Sequence, residues 1–427
     1  MSPRIPSAPA VALATLALVP CVVAQSPQNA PSVDEVAFVQ TANSQHRLQY
    51  LANSQIWSDP GDVTPEMVLR GQPLEDPTGL EAAIRGEPLP CTFTRAGKDL
   101  GGNTPKFVCL TADKRAIRVK YTDGSKGGNR EIFAAVAASR LLWILGFESD
   151  PIYPITVDCL DCPENPMAGS GSRAKRTYLA TFQPLFRYLV IVTGDNPNQG
   201  WRWAEVDDAI AGLPEGPVRA RQRAHFDALK LLAVFVQHGD RKPEQQRLHC
   251  RAALDRSAGD VRLLKGDDDA DNVPVFFERP DGTACRLSVI AIQDMGATFG
   301  GAGKMSNPGT AKMNLKEWTD REVFHKAKAD SSGVSECRGN ITVSMAAGEG
   351  SQGNPRIGEA GRAFLADRLK RLTDEHLRAL LSAARVDKVG TAQTWQDPTG
   401  TVHTGLDAWA AAFKDKVRQV TERRCAA

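Results

Sequence analysis

The stretch HGDRKPEQQ, residues 238–246, decides how this sequence is interpreted. It places carboxylates, cations, a proline and amides directly after an apolar run. That run ends a long predicted helix, in which Phe226, Leu229 and Ala233 fall on one face at helical spacing. Polar residues at this position form either a surface turn or a loop that carries chemistry, and the rest of the chain has to separate these two interpretations.

A second short motif, Asp294-Met295-Gly296, follows an apolar stretch that predicts a strand. Taken alone, Asp294 fits a turn carboxylate. Asp240 in the first stretch likewise fits a turn residue at the end of a helix, with His238 as a core or cap residue. Taken together, one carboxylate after a long helix and another after a buried strand favour a functional site.

The elements around these motifs predict a mixed fold. Strands are expected over residues 90–121, broken by a glycine-bearing turn, and Lys120 lies near the end of one of them in IRVKY. A helix follows, with Asn129 as its cap and Glu131 in its first turn. The order is completed by two strands, the long helix, which is expected to begin at Pro217, strands near residues 247–254 and 285–293, and two helices within residues 356–385, the second of them capped by Thr373.

This order of elements, together with the two motifs, resembles the protein-kinase-like superfamily over roughly residues 91–300. Protein kinases carry a catalytic loop H-R-D-x-x-x-x-N and a metal-binding D-F-G. This sequence has HGD at residues 238–240 and DMG at residues 294–296, but places Gln245 where asparagine is usual. His-Gly-Asp also begins this loop in enzymes similar to aminoglycoside phosphotransferases. The resemblance implies a bilobal α+β fold, with a small antiparallel-sheet N-lobe that contains one helix and a mostly helical C-lobe.

The resemblance also implies an activity, the ATP-dependent transfer of a phosphoryl group to a hydroxyl. Such transfer needs positioned phosphates, neutralised charge and a base that orients the incoming hydroxyl. Asp240 would be that base, and Lys242 would contact the transferring phosphate. Lys120 would hold the α- and β-phosphates, and Glu131 would pair with Lys120 from the helix.

Metal and backbone contacts complete the implied site. Asp294 would bind Mg²⁺, for which carboxylate oxygens are suitable ligands. The amide oxygen of Gln245 would serve as a second metal ligand, with a geometry altered by its extra methylene. Gly101 and Gly102 would offer backbone N–H groups to the phosphates, although their stretch fits a plain hairpin turn equally well.

Two of these residues also fit purely structural roles. Lys120 lies in a strand with alternating side chains and fits a lysine that faces solvent. Glu131 stands at the start of a helix, where a negative side chain contributes about 0.3–1 kcal/mol through the helix dipole. The spacing between Lys120 and Glu131 is also short for a protein kinase.

The N-terminus predicts export. Residues 1–24 hold a short positive region, an apolar stretch and a cleavage site at Ala24, as in a signal peptide, with an uncleaved membrane anchor as the alternative. Cleavage would remove Cys21 and leave eight of the nine cysteines, an even number that suggests disulfides in an exported chain. Cys91 and Cys109 flank the glycine stretch and are placed to form one of them.

Composition narrows the function further. The chain has 427 residues, of which 42% are hydrophobic and 24% charged, as in ordinary globular proteins. Its net charge of +2 gives no overall attraction to nucleic acid, and no long apolar run after the N-terminus predicts a membrane span in the mature chain. The lone C-x-x-C of Cys159 and Cys162 fits a disulfide or free thiols better than a metal or redox site.

The chain is expected to divide into five parts. These are a signal peptide at 1–24, a leader with short helices at 25–90, an N-lobe at 91–186, a C-lobe at 187–385 and a C-terminal tail at 386–427.

The sequence therefore predicts an exported phosphotransferase, periplasmic or extracellular, with ATP, Mg²⁺ and a hydroxyl-bearing acceptor of unknown class as its ligands. Compartments outside the cytoplasm hold little ATP, which favours the alternative of a catalytically inactive kinase-like exported binding or scaffold protein. Gln245 in place of asparagine favours the same alternative. A hydrolase is less well supported, since no G-x-S-x-G or H-E-x-x-H occurs.

Overall fold

A computed structural model describes most of the chain between residues 44 and 426. The described residues are 44–74, 80–95, 104–122, 128–183, 189–192, 200–239, 243–250, 259–264, 273–278, 287–301, 309–326, 336–341, 354–390 and 393–426.

Strands and helices alternate irregularly along the described residues, which gives mixed α and β content. The strands are β1 (Pro88–Thr94), β2 (Lys106–Leu110), β3 (Ala116–Thr122), β4 (Glu148–Ser149), β5 (Tyr153–Asn165), β6 (Ser170–Phe182), β7 (Leu189–Val192), β8 (Gln246–Cys250), β9 (Gly259–Leu264), β10 (Val273–Glu278), β11 (Ser288–Ile292), β12 (Cys337–Arg338), β13 (Arg356–Ile357), β14 (Thr394–Gln396) and β15 (Val402–Thr404). The α-helices are α1 (Ser44–Asn53), α2 (Pro65–Arg70), α3 (Glu81–Ile84), α4 (Glu131–Ile144), α5 (Trp203–Ala211), α6 (Pro217–Phe235), α7 (Leu315–Thr319), α8 (Glu359–Lys370), α9 (Asp374–Ala383) and α10 (Gly405–Glu422).

The first sheet is a closed barrel. Within the described part of the chain its strand order is β1-β2-β3-β6-β5. All neighbours run antiparallel except β1 and β5, which run parallel. Parallel neighbours need a crossover connection, and the chain between β1 and β5 supplies one that includes α4. The small antiparallel sheet expected from the sequence is therefore a barrel with one parallel pair.

The barrel has its own apolar interior. Along β3, Ile117, Val119 and Tyr121 are buried in that interior. Arg118 and Lys120 alternate with them and are half-buried on the other face, as strand geometry requires. The barrel therefore turns one row of apolar side chains inward and one row of cations outward.

Helix α4 is buried on every side. All of its residues except Trp143 are buried, and most of them are apolar, which is typical of a helix inside a core. It contacts β3, β5 and β6 of the barrel and also α9. The first residue of this helix, Glu131, is therefore fixed relative to both the barrel and the helical part of the molecule.

A second sheet and the longer helices form the main core. Among the described strands, the sheet order is β4-β11-β8-β7-β10-β9. The strands expected near residues 247–254 and 285–293 correspond to β8 and β11, which pair antiparallel. The helix expected from Pro217 is α6, with that proline in its first turn. Thr373 caps α9 by accepting from the His376 N–H at 3.4 Å, as the sequence predicts.

Both ends of the described chain contribute to the main core. Helix α1 begins at Ser44 inside the leader segment, and Leu51 near its end is fully buried in this core. Helix α10 lies in the segment named a tail, yet Trp409 and Phe413 on it pack around Trp318. The domain boundaries expected from the sequence stay predictions.

Disulfides in the described region join two neighbouring strands, two residues of one strand, and two distant segments of the chain. Cys91 of β1 and Cys109 of β2 form the bond for which their positions were suited. Cys159 and Cys162 form a second bond within β5, across an irregularity in its pairing with β6. A further bond in the described region joins Cys337 to Cys425 near the C-terminus. These bonds are consistent with an exported chain.

No helix in the described ranges combines the length and the apolar character that a membrane span requires.

Candidate functional site

Two lysines from adjacent strands lie side by side on the outer face of the barrel. Lys106 of β2 is the register partner of Lys120 of β3, and directly opposed residues project from the same face of a sheet. The Lys120 side chain is 20% exposed, whereas Lys106 is buried. The pair places positive charge beside the N-terminus of α4.

The carboxylate of Glu131 receives hydrogen bonds at both oxygens. Lys120 Nζ donates to Oε1 at 3.0 Å, and Lys312 Nζ and Thr104 Oγ1 both donate to Oε2. The Glu131 N–H donates to Asn129 Oδ1 at 2.9 Å, which fixes the start of α4. The Glu131 side chain is only 8% exposed, and a buried charge needs this degree of compensation. The structure thus brings Lys120 and Glu131 into contact and adds Lys312 to the same carboxylate.

Asp294 approaches Lys120 from the second sheet. It lies just beyond β11, all of whose residues are buried. Its Oδ2 lies 3.4 Å from Lys120 Nζ, and its Oδ1 accepts from the Gly296 N–H at 3.1 Å. The Asp294 side chain is 29% exposed, more than that of Glu131. Lys120 therefore lies between a buried carboxylate and a more accessible one.

Burial and charge oppose each other at these groups. Burial lowers the pKa of Lys120, but the carboxylates of Asp294 and Glu131 outweigh it and hold this pKa above its ordinary value. Burial raises the pKa of Glu131, but Lys120 and Lys312 outweigh it and hold this pKa well below its ordinary value. At Lys106, burial and then the positive charge of Lys120 dominate, and they lower its pKa to about 8.

The loop after α6 is hydrogen-bonded to the segment that carries Asp294. The Gly239 N–H donates to Ala297 O at 2.8 Å, just beyond Asp294. The Gln293 N–H donates to Gln245 O at 2.9 Å, just before Asp294. Both ends of the loop are thereby held against the segment on either side of this carboxylate.

Several of the residues implied by the sequence are not described. Asp240, Lys242, Gly101 and Gly102 lie outside the described residues, and their roles stay predictions. Gln245 lies in a short 3-10 helix, Pro243–Gln245. Its backbone position is known from the bond with Gln293, while its role as a metal ligand also stays a prediction.

No motif of the sequence singles out Lys312. It lies in a stretch rich in glycine and lysine, which is typical of an exposed loop, yet it is only 4% exposed. Its partner Glu131 is 181 residues away along the chain. No local pattern reveals a contact over such a separation, and only the tertiary structure identifies Lys312.

A buried carboxyl, Asp150, joins the barrel to the second sheet. Gln183, which follows β6, donates from Nε2 to Asp150 Oδ2 at 2.5 Å. The Asp150 N–H donates to the O atom of Ile292, the last residue of β11, at 3.3 Å. Burial raises the pKa of Asp150 well above its ordinary value, and the carboxylates of Glu148 and Asp294 raise it further against the opposing charge of Arg247.

Metal binding at this site would depend on the ligand as well as the protein. In the described ranges, no group of three or more His, Cys, Asp or Glu side chains is arranged to hold a metal ion. Mg²⁺ in nucleotide sites is bound by one or two carboxylates together with phosphate oxygens and water. Asp294, as an accessible carboxylate beside a cluster of lysines, fits that mode of binding.

The similarity of this chain to known proteins is weak. No protein-family model and no curated protein matches the chain. The structure is similar to the crystal structure of CtkA, a proinflammatory kinase of Helicobacter pylori, with 11% sequence identity and a TM-score of 0.33 over 78% of this chain and 94% of that one. A TM-score this low supports no conclusion about fold or function.

Proposed function

We propose that this chain is an exported kinase-like phosphotransferase that moves the terminal phosphate of ATP to a hydroxyl group. The proposal is based on the position of Lys120 Nζ, 3.0 Å from Glu131 Oε1 and 3.4 Å from Asp294 Oδ2. A carboxylate on an anchored helix directs the lysine, and a more accessible carboxylate remains for a metal. Phosphoryl transfer depends mainly on such positioning and charge neutralisation.

The charge around Lys120 favours an anionic ligand. Among the described residues, the cations of Lys106, Lys120 and Lys312 outnumber the carboxylates of Glu131 and Asp294 among which they lie. Bound phosphates would relieve the repulsion that helps to lower the pKa of Lys106 to about 8. Lys106 and Lys120 are therefore assigned to the phosphates, a role for which neighbouring cations are suited.

Asp294 is assigned to Mg²⁺. Its side chain is accessible, and its Oδ1 is oriented by the Gly296 N–H at 3.1 Å. A bound magnesium ion supplies neutralising charge for the phosphates. Gln245 is the proposed second ligand, because its backbone lies next to Gln293, the residue before Asp294.

The loop after α6 is assigned to the acceptor. Asp240 is proposed to accept the proton of the incoming hydroxyl, and Lys242 to contact the transferring phosphate. Support comes from the loop ends, since Gly239 and Gln245 both bond to the segment that carries Asp294. A base held near the metal and the phosphates is what this reaction requires.

Export is part of the proposal. Residues 1–24 carry the features of a signal peptide, and the disulfides in the described region are of a kind that persists in oxidising compartments. The acceptor is proposed to bear a hydroxyl group, in a periplasmic or extracellular setting.

Mg-ATP is expected to stabilise the protein against thermal unfolding, and Lys120→Met is expected to remove most of that effect. A ligand at a hundred times its Kd stabilises by about 2.7 kcal/mol, whereas a lost charged hydrogen bond costs about 1.5–3 kcal/mol of binding, or roughly ten- to hundredfold in Kd. Glu131 stays compensated by Lys312 in this variant. Thermal unfolding with and without Mg-ATP measures the effect.

Lys175→Met is the matched control for Lys120→Met. Lys175 lies on the same barrel, but its side chain is 60% exposed and pairs with Asp158 at 2.8 Å. It should respond to Mg-ATP like the unmutated chain. If the unmutated chain shows no response to millimolar Mg-ATP, or if the two variants respond equally, the proposed nucleotide site is wrong.

A second candidate function is a catalytically inactive kinase-like binding or scaffold protein. The observation that favours it is Gln245, which stands where the resembled family has asparagine. Formation of ADP from Mg-ATP in the presence of hydroxyl-bearing acceptors separates the two functions. A protein that is indifferent to Mg-ATP, or that binds it and forms no ADP or phosphorylated product, supports the scaffold.

Affinity for Mg-ATP is expected to fall as the pH rises from about 7 to 9. Burial and then the neighbouring charge of Lys120 lower the pKa of Lys106 to about 8. A phosphate beside it would favour the protonated form, so binding takes up a proton and weakens once Lys106 is neutral. Lys106→Met should bind weakly with little slope over this range, and Lys106→Arg should keep its charge and also remove the slope. An unchanged slope in both variants would contradict this role.

A further inference from the structure

The segment 309–312 is packed tightly against the N-terminus of α4. The Arg130 N–H donates to Gly309 O at 3.3 Å, and Arg130 Nη1 lies 3.4 Å from Thr310 O. A methyl group on Gly309 would lie 3.0 Å from Cβ and 3.1 Å from Cγ of Asn129, which leaves no space between the two pieces of chain. This segment therefore has a fixed position at the start of the helix.

The same segment is also attached to the chain that follows Asp294. The Met313 N–H donates to Thr298 O at 3.1 Å, and the Asn314 N–H donates to Phe299 O at 2.7 Å. These bonds fix the backbone on the C-terminal side of Lys312. The lysine is thus directed at Glu131 by a backbone held from two sides.

The two lysines on Glu131 use different oxygens. Lys120 takes Oε1 at 3.0 Å, and Lys312 takes Oε2. The Lys312 side chain is 5% exposed and that of Lys120 is 20% exposed. Lys312 is therefore the buried member of the pair, and Lys120 is the one that a ligand can approach.

This division affects how Lys120 meets phosphate. A buried carboxylate with a single cation would hold that cation strongly, because separating them leaves an uncompensated buried charge. Lys312 supplies a second cation, so the Glu131 carboxylate stays compensated when the Lys120 ammonium group also interacts with a phosphate. The low pKa of Glu131, caused by Lys120 and Lys312 against the effect of burial, agrees with this.

We propose that Lys312 is a positioning residue that acts through Glu131 to keep Lys120 available for the phosphates of the nucleotide. This inference rests on the proposed function, because it assigns a role within the same site. Lys312 touches Glu131 and not the ligand.

A double-mutant cycle tests the inference. Lys312→Met in the unmutated background is expected to weaken Mg-ATP binding roughly tenfold. Without the Lys312 cation, the Glu131 carboxylate holds Lys120 more strongly, and Lys120 is less available to the phosphates. In a Glu131→Gln background the same change is expected to alter Kd less than about twofold, since no carboxylate remains to compete for Lys120. Isothermal titration with Mg-ATP gives all four dissociation constants.

Controls separate positioning from folding. Lys312→Arg keeps the cation and should restore affinity. Lys316→Met changes a lysine whose side chain is 79% exposed and should bind like the unmutated chain. Thermal unfolding of each variant shows whether it is folded. If Lys312→Met does not fold, Lys312→Gln takes its place in the cycle. The variant that combines Lys312→Gln with Glu131→Gln then carries no charge at either of the two positions.

Each outcome decides the question. A loss of affinity that is present with Glu131 and absent with Gln at that position supports the inference. An equal loss in both backgrounds overturns it, because Lys312 would then act directly on the ligand or only through packing. If the unmutated chain does not bind Mg-ATP, the proposed function itself fails and the inference fails with it, and this is seen before any variant is made.

Discussion

Asp294→Asn is expected to remove the Mg²⁺-dependent part of ATP binding and to lower the rate of phosphate transfer by about 100- to 1000-fold, the loss typical when one group that stabilises transition-state charge is removed. Asparagine retains the oxygen that accepts from the Gly296 N–H at 3.1 Å, so the local turn should persist. It lacks the negative charge that a hard cation prefers. Binding of Mg-ATP and formation of ADP across a Mg²⁺ titration measure both effects.

The metal-free experiment gives Asp294→Asn a second, opposite expectation. Without Mg²⁺, the Asp294 carboxylate repels the phosphates. It also competes with them for the Lys120 ammonium group, whose Nζ lies 3.4 Å from Oδ2. ATP in the presence of a chelator should therefore bind Asp294→Asn as well as, or more tightly than, the unmutated chain. A general loss of structure would weaken binding in both conditions, so the difference in sign identifies a metal ligand.

Asp161→Asn is the control with the same change of charge. Asp161 pairs with Arg173 at 2.7 Å on the exposed β5-β6 hairpin, and its side chain is 58% exposed. Its φ of 53° lies in the left-handed region, which asparagine also adopts. If Asp294→Asn responds to Mg-ATP as Asp161→Asn does, Asp294 is not the metal ligand and the scaffold function gains support.

Local chemistry explains what the sequence could predict. Helix α6 follows from a proline at its first turn and an apolar face, and the cap of α9 follows from Thr373 with its hydrogen bond to the His376 N–H. The strand that carries Lys120 follows from alternation of side chains. Each of these signals lies within a few residues of the element it predicts.

Contacts between distant segments needed more than local pattern. Lys120 and Asp294 are 174 residues apart, and only the resemblance to a known superfamily brought them together before the structure did. Lys312 had no such support, because the resemblance was based on other motifs. Closure of the barrel is not predictable from local sequence for a similar reason. The parallel pairing of β1 with β5 depends on the whole intervening chain, and no turn residue signals it.

Gly296→Ala is expected to destabilise the folded protein by about 1–3 kcal/mol, the usual cost of overpacking, and to abolish stabilisation by Mg-ATP. A methyl group on Gly296 would overlap Glu131 Cγ and would lie 2.7 Å from Cδ and 2.9 Å from Oε1 of Glu131. Glu131 cannot move aside without breaking its bonds to Lys120 and Lys312. The clash therefore displaces either the carboxylate or the Asp294 segment, and both belong to the proposed site.

Gly212→Ala separates this steric effect from the general consequences of adding a methyl group. Gly212 ends α5 with a φ of −74°, and a methyl group there would make ordinary contacts of 3.6 Å with the carbonyl oxygens of Ala209 and Asp208. Its expected change in stability is within about 0.5 kcal/mol, with the response to Mg-ATP intact. Thermal unfolding of both variants, each with and without Mg-ATP, makes the comparison. If the two variants behave equally, close packing of Gly296 on Glu131 does not hold Asp294 beside Lys120. The positions of Lys120, Glu131 and Asp294, on which the phosphotransferase proposal is based, would then not be explained by this packing.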